Sequence, residues 1–424
     1  MPRGVIVYNT KKRRKGIDMV IGIIGGGASG MAAALAAAES PQNQVLLLER
    51  QQRVGRKLQA TGNGRCNLTN LHALEGGYHG EEREFSQYAL ERFSPAETLK
   101  WFEHLGLVTV AEASGRAYPF SDQANSVVDI LRFALYKPNI RLETGVEVQK
   151  AKREEDGFLL ETTQGVFSCH RLIIACGGLA GTKLGGSMSG YKLLRSFGHR
   201  CTRLRPTLVQ IKTDWPGITA LKGVRAQCKA EITCDGAFWS GSRGEIQFTE
   251  WGLSGPVMFE ISRDVCQKKG NWVCTLDLLP QIEEETLVSL LEARRKTNLP
   301  ASELFTGILH NRLGRVLTQE CGITANREIA GLSGEDLKLA AKTAKCFPVH
   351  LTEALGMDSA QVTAGGIVTE EFYSNTLESK LVPGLYACGE VLDVDGDCGG
   401  YNLQWAWSSG RLAGQSAGKE ENNA

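Results

Sequence analysis

The stretch Val20–Glu39, "VIGIIGGGASGMAAALAAAE", decides the fold. A short apolar run is stopped by glycines and followed at once by an alanine-rich helical run. Gly25, Gly27 and Gly30 fall on Gly-x-Gly-x-x-Gly. In that pattern the first glycine permits a tight turn, the second lets a pyrophosphate approach the backbone, and the third lets helix pack on strand. The helix start, with Ala28 and Ser29, then presents its amides to the phosphates. A second strand, "QVLLLER", carries Glu49 and Arg50 about twenty residues past Gly30, where a carboxylate accepts from ribose hydroxyls. Strand, loop, helix, strand and acid together predict a nucleotide-binding α/β unit.

A second glycine-rich stretch, "GLYACGEVLDVDGDCGGYNLQWAWSSG" (Gly384–Gly410), indicates which nucleotide. A protein that holds FAD must grip the ribityl chain and ring with residues outside the first loop. Gly389-Glu390 forms a turn at the end of a short strand, where an acid or amide can meet the ribityl hydroxyls. Gly399 and Gly400 then introduce a helix beginning Tyr401-Asn402-Leu403, whose amides can face the flavin's pyrimidine carbonyl. Asp393, Asp395 and Asp397 raise the alternative of a calcium loop, but the terminal bidentate glutamate is missing, and no metal is predicted. A third piece, "RLIIACGG" (Arg171–Gly178), reads as the return strand that closes the adenine half with Cys176, Gly177 and Gly178. From Ile140 to Ala175 the alternation predicts a small antiparallel meander, with Val148 counted among the cofactor contacts. "GGSMSG", Gly185–Gly190, breaks the dinucleotide spacing, so NADPH or NADH is expected as a transient electron donor over the flavin rather than in its own domain.

Composition sets the outer bounds. The 424 residues with 42% apolar content suffice for two or three packed domains. No apolar stretch is long enough for a spanning helix, so no membrane partner is expected. Lys and Arg number 48 against 47 Asp and Glu, so net charge excludes no partner class. Twelve cysteines without a Cys-x-x-Cys pair fit reduced thiols and a cytoplasmic enzyme. "KKRRKG" within residues 1–18 has no apolar periodicity and reads as a disordered leader or a mistaken start. Residues 19–200 and 362–424 are expected to form the two segments of the FAD-binding domain. Between them, short alternating runs over 201–280 suggest a β-barrel or sandwich. "EETLVSLLEARRK" and "SELFTGILHNRLGRVLTQE" suggest a helical subdomain over 281–345, and 346–361 returns to the barrel.

Together, "GGGASGMAAALAAA", "GRKLQATGNGRCNLTN" (Gly55–Asn70), "GRAYPFSDQANSVVDIL", "TEWGLSGPVMFEIS", "QVTAGGIVTEEF" and the Gly384–Gly410 stretch resemble the BaiN-like flavoproteins. That family includes aminoacetone-oxidase-type and ribosomal RNA dihydrouridine synthase-type members. The resemblance implies FAD on a three-domain plan: a discontinuous Rossmann-like domain of the two-dinucleotide-binding type, an inserted β-barrel and a small helical subdomain. It does not imply one reaction, since members are assigned to amine oxidation, bile-acid reduction and uridine reduction in 23S rRNA.

In the Gly55–Asn70 loop, Thr61, Gly62 and Gly64 can lie along the cofactor with Asn67, while Arg56, Lys57 and Arg65 can neutralise phosphate. Cys66 either donates a proton in C=C reduction or packs as a small residue beside the cofactor. Cys388 and Cys398 lie nearer the predicted ring, and Cys398 joins Cys66 as a catalytic candidate. Arg116, Tyr118, Glu250, Ser254 and Tyr401 are the substrate-pocket candidates. Between Lys192 and Lys229 run Lys192, Arg195, Arg200, Arg203, Arg205, Lys212, Lys222, Arg225 and Lys229 against Asp214 alone. Such a run suits RNA phosphates or is a solvated face. Trp215, Trp239 and Trp251 can stack on a base or lie in the core. Three readings stand: an NAD(P)H-fuelled enzyme reducing uridine in 23S rRNA or a ribosome assembly intermediate, a small-molecule flavin oxidoreductase or oxidase, and a non-catalytic flavin protein that engages the ribosome.

Overall fold

A computed structural model describes residues 19–419; the basic run within 1–18 lies outside the described residues. The chain divides into two units, one running to Arg205 and resuming at Gln361, the other Pro206–Ala360.

The first unit is built on a five-stranded sheet in the order Leu385–Ala387, Arg171–Ile174, Met19–Ile24, Asn43–Glu49, Ile140–Thr144. Every neighbouring pair is parallel. The central strands are buried on both faces, with Ile21, Ile23, Leu172, Ile173 and Ile174 fully covered, which is why they read as unbroken apolar runs. Ile140–Thr144 corrects the sequence reading. It pairs with Asn43–Glu49 at the sheet edge, and the antiparallel meander contains only Val148–Glu154, Gly157–Thr162 and Gly165–Cys169. A half-buried edge strand alternates just as a hairpin strand does, so periodicity could not reveal its partner.

Helix Ala28–Ala37 is buried nearly all round, and helix Tyr401–Gly418 lies against it. Two glycines set that approach. A Cβ on Gly410 would stand 2.3 Å from the Ser29 carbonyl oxygen, and one on Gly414 2.3 Å from that of Ala33. Positions four apart on one helix thus rest on positions four apart on the other.

A buried polar group ties the end of the first segment to the second. His199 Nδ1 is 2.8 Å from Glu371 Oε2, its Nε2 is 2.9 Å from Ser379 Oγ, and its ring stacks on Phe372. Burial pulls His199 below its ordinary pKa, against the opposing pull of Glu371. The unfolded chain therefore takes up this proton first, so the site contributes stability above about pH 6.5 that is lost as pH falls below it. The melting temperature, followed by calorimetry from pH 7.5 to 5.5, should fall with acidification. His199→Gln should melt lower at pH 7.5 and show a flatter slope; an unchanged slope would remove His199 as its source.

The second unit is a closed six-stranded barrel in the order Ile211–Thr213, Gly252–Ser254, Ala237–Phe248, Arg225–Cys234, Trp272–Asp277, Phe347–Ala354. Between the last two strands lie the helices Glu284–Ala293, Asn311–Glu320 and Gly334–Lys345. The run read as one helix from Ser302 is α-helical only from Asn311, after a short 3-10 turn at Ala301–Glu303. Gly307 at φ +80° breaks it, and the His310 side chain caps the new start by accepting from Arg312 N. Leu304 and Phe305 are fully buried, so the apolar spacing reflects core packing rather than helix.

Candidate functional site

The first glycine loop is held by contacts that only glycine allows. A Cβ on Gly30 would lie 1.8 Å from the Gly25 carbonyl oxygen, and Gly25 itself, at φ +110°, sits against the Ala175 carbonyl. Gly27 differs: a Cβ there would meet nothing within 4 Å. Gly27 is also the N-cap of helix Ala28–Ala37, which has neither a side-chain cap nor an acid in its first turn. Amide donors and open space thus coincide, as an anionic diphosphate requires. Glu49 holds the loop: its Oε2 accepts from Gly26 N and its Oε1 from Gln51 N, both at 2.7 Å. A cleft of about 810 Å³ brings Arg50 and Val148 together, with Ser187, Met188 and Lys192 also on its walls. Arg50 Nη2 donates to the Gly185 carbonyl at 2.5 Å.

The second loop comes back to the first. A Cβ on Gly389, at φ +75°, would lie 2.5 Å from Ser29 Oγ. Gly389 N donates to Ser409 Oγ at 3.0 Å, and the Trp405 indole donates to the Gly389 carbonyl at 3.1 Å. Glu390 Oε2 pairs with Lys57 Nζ at 2.8 Å, and its Oε1 accepts from Thr363 N at 2.8 Å. Beside it, a Cβ on Gly178 would fall 2.4 Å from Glu390 Oε1, whereas Gly177, at φ +68°, faces open space. Cys176 and Cys388 are thiols whose burial pushes both up to about 12.

Gly399 and Gly400, at φ +115° and +105°, lead into helix Tyr401–Gly418. A side chain at Gly399 would strike Arg116 Nε, and one at Gly400 the Thr69 carbonyl. Asn402 clamps Gly396 through both backbone groups, accepting from its N at 2.8 Å and donating to its O at 2.7 Å. Leu403 is half-buried on the first turn. The Trp407 indole donates to the Leu68 carbonyl at 2.9 Å, so the same helix also holds the Gly55–Asn70 loop. In that loop Gly62 and Gly64 adopt positive φ, and Thr61 Oγ1 donates to the Leu58 carbonyl. Asn67 Oδ1 is buried without a hydrogen-bond partner among the described residues.

The charged residues of this loop, read in the sequence as phosphate neutralisers, pair with side chains of the protein. Lys57 is taken by Glu390; Arg65 binds Asp122 and Glu112 and lies 4.1 Å over the Tyr118 ring; Arg56 donates to Gln51 Oε1. Cys66, at φ +61°, is fully covered, and burial pushes its thiol up to about 12. It is held as a neutral thiol. Tyr118 is raised by burial first and then by Glu112, with a smaller push from the half-buried Cys398 nearby. Arg116, Tyr118, Cys398 and Tyr401 thus gather round the second loop, whereas Glu250 and Ser254 belong to the barrel unit, where Glu250 pairs with Lys222 and Ser254 is buried. Five of the nine basic residues are paired: Arg200 with Glu371, Lys212 with Glu353, Lys222 with Glu250 and Arg225 with Glu245, all distant in sequence, and Lys229 with Glu231 two residues on. Trp215 packs edge-on to Phe347, while Trp239 and Trp251 are exposed.

Sequence reasoning missed His79. The two-residue strand Tyr78–His79 pairs with Asp395–Gly396 and sets His79 Nε2 2.7 Å from Asp397 Oδ1. Two residues show no periodicity, so only the chemical character of "GGYHG" could have pointed to it.

Residues 19–416 match the family model described as HI0933-like protein Rossmann domain. The chain is 40% identical to a 3-dehydro-bile acid delta(4,6)-reductase of Clostridium scindens, over 94% of this chain and 98% of that protein. It is 33% identical to a ribosomal RNA dihydrouridine synthase of Escherichia coli, over 91% and 95% respectively. A Haemophilus influenzae protein of that same name is 30% identical over 91% and 95%. No helix among the described residues is long and apolar enough to cross a membrane. With its glycine loops joined on a Rossmann-type sheet, the chain belongs to the HI0933-like family and is an enzyme of the FAD-dependent oxidoreductase class.

Proposed function

We propose that this enzyme reduces a carbon–carbon double bond conjugated to a carbonyl in a small, largely apolar molecule of the 3-oxo-steroid type, with NADPH or NADH as electron donor. The observation that carries the cofactor reading is the meeting of Gly389 with Ser29, which sets the second glycine loop against the open cradle at Gly27. FAD, when bound, supplies a two-electron hydride store that a nicotinamide refills. Amides of the first turn of Ala28–Ala37 would hold its diphosphate, Glu49 its ribose, and the start of Tyr401–Gly418 its ring. The reaction class rests on what the relatives' names share: the bile-acid dienone and uridine each place the reducible C=C beside a carbonyl. The pairing of five of the nine basic residues with acids weakens that run as a phosphate-binding face and favours the small substrate. Uridine in 23S rRNA is the second reading, supported by exposed Trp251 on the barrel unit, which offers a stacking face, whereas Trp239 already carries Lys268 over its ring.

The test is anaerobic reduction of the yellow protein by NADPH or NADH, followed by a 3-oxo-Δ4 steroid acid in one cell and unmodified 23S rRNA fragments in another. Reoxidation by the steroid, with the saturated ketone recovered, supports the first reading. Reoxidation by RNA with dihydrouridine formed moves the function to the second, and reoxidation by oxygen alone refutes both.

A further inference from the structure

We propose that His79, positioned by Asp397, delivers the proton that completes the reduction. This rests on the C=C-reductase reading above and adds the acid that the reading lacks.

Reduction of a conjugated alkene needs hydride at one carbon and a proton at its neighbour, and the proton must come from a side chain that can touch the substrate and be recharged from solvent. The residues read from the sequence for this task fit poorly. Cys66 is fully covered, and the half-buried Cys398 is a thiol, by its ordinary pKa a weaker acid than an imidazolium. His79 is placed for both: its side chain keeps 28% of its surface exposed, and its strand pairs with Asp395–Gly396, the segment that leads to Gly399 and Gly400.

The surroundings fix its orientation. The strand pairing sets His79 opposite Asp395 and Tyr78 opposite Gly396. Tyr78 Oη donates to the Tyr401 carbonyl at 3.1 Å, tying this strand to the first residue of the helix. Gly77, at φ +82°, is wedged where a Cβ would lie 2.7 Å from the Tyr401 ring and 3.0 Å from Asp397 Oδ2. Asp393 Oδ2 accepts from Glu81 N, holding the far side. Asp397 is the acid on the imidazole and Asp395 its partner across the strand pair, with Asp393, Glu81, Tyr78 and Tyr401 on the flanking segments. Nε2 is committed to Asp397, while Nδ1 has no partner among the described residues. A carboxylate on one ring nitrogen fixes the tautomer and leaves the other to exchange protons with a ligand.

The step balances as follows. FAD, when bound and reduced by a nicotinamide, would supply hydride to the substrate's β-carbon, and the C=C pair would shift toward the carbonyl as an enolate. The Nδ1–H bond of the His79 imidazolium breaks as a C–H bond forms at the α-carbon. His79 is left neutral with Nε2–H on Asp397, and solvent returns its proton. The substrate gains two electrons and two protons, and the flavin is oxidised.

Two measurements on the holoprotein test this. In the first, carbethoxylation by diethyl pyrocarbonate is read peptide by peptide by mass spectrometry, with and without a saturated 3-oxo steroid acid as probe. His79 should be protected about tenfold, while the exposed His72 and His104 keep their rates. In the second, His79→Gln, with flavin content and melting temperature checked, should bleach with NADPH as wild type does. Its reoxidation by the enone should fall about 10²- to 10⁴-fold, the range of general-acid catalysis, and reoxidation by ferricyanide should be unchanged. Asp397→Asn, altering a positioning residue, should lose less than His79→Gln while keeping the footprint protection.

A wild type that the enone reoxidises, with His79→Gln within threefold of it or His79 unprotected, overturns this inference and leaves the function standing. If RNA rather than steroid reoxidises wild type, the same comparison on RNA decides, with a dihydrouridine oligonucleotide as probe. If neither does, the function and this inference fall together.

Discussion

Gly27→Leu should give a folded protein that purifies without flavin. Nothing lies within 4 Å of a Cβ at Gly27, and its backbone, at φ −79°, suits any residue, so the variant's melting temperature should stay within about 1–2 °C of wild-type apoprotein. The leucine side chain fills the space in front of the helix amides, where the diphosphate would lie. Exclusion of that kind should weaken FAD binding by at least about 100-fold, or roughly 3 kcal/mol. Absorbance near 450 nm and titration of the apoprotein with FAD check this. Flavin held at wild-type affinity would place the diphosphate elsewhere. Gly30→Ala makes the contrast: with its Cβ 1.8 Å from the Gly25 carbonyl, the loop itself must break, so flavin and stability should be lost together.

Gly414→Val should destabilise the first unit by at least about 3 kcal/mol, at the upper end of what overpacking a buried contact costs. Its Cβ would meet the Ala33 backbone at 2.3 Å, a rigid helix rather than a movable side chain. Both helices are buried, so neither can retreat without opening the sheet beneath. Ala at the same site should cost less, because the smaller group is partly offset by its better helix propensity, about 1 kcal/mol over glycine. Chemical denaturation of the two variants gives the order; a Val variant as stable as wild type would mean that the helices pack otherwise.

What could be read from the sequence was what is local. The turn at Gly25–Gly30, the helix after it and Glu49 at the end of its strand depend on neighbours within one supersecondary unit, and each left a pattern of spacing and residue type. The union of the two loops was foreseeable only as a requirement of the cofactor, because the contact between Ser29 and Gly389 joins residues remote in the chain. Charge stayed open between a phosphate-binding and a solvated face for the same reason. Counting along Lys192–Lys229 finds one acid, but Glu245, Glu250, Glu353 and Glu371 arrive from other strands and turns to pair with it. Lys57 and Arg65 looked available for phosphate because Glu390 and Asp122 are distant in the chain. His79 stayed hidden because a two-residue strand has no period. Its partner Asp397 was visible only as one of three acids that suggested a metal.

The strand order has a consequence for synthesis. Arg171–Ile174 finds its outer neighbour, Leu385–Ala387, only after the barrel sequence has been made. At roughly 5–20 residues per second, that strand's open side waits on the order of tens of seconds, with three fully buried residues, Leu172, Ile173 and Ile174, still uncovered on one edge. Meanwhile the barrel can close on itself, since all six of its strands lie between residues 211 and 354. A nascent chain stalled in that interval carries one finished unit and one sticky half-sheet. Demand for a chaperone should therefore be greatest after the barrel is made, and end when the strand Leu385–Ala387 and the helix Tyr401–Gly418 leave the exit tunnel.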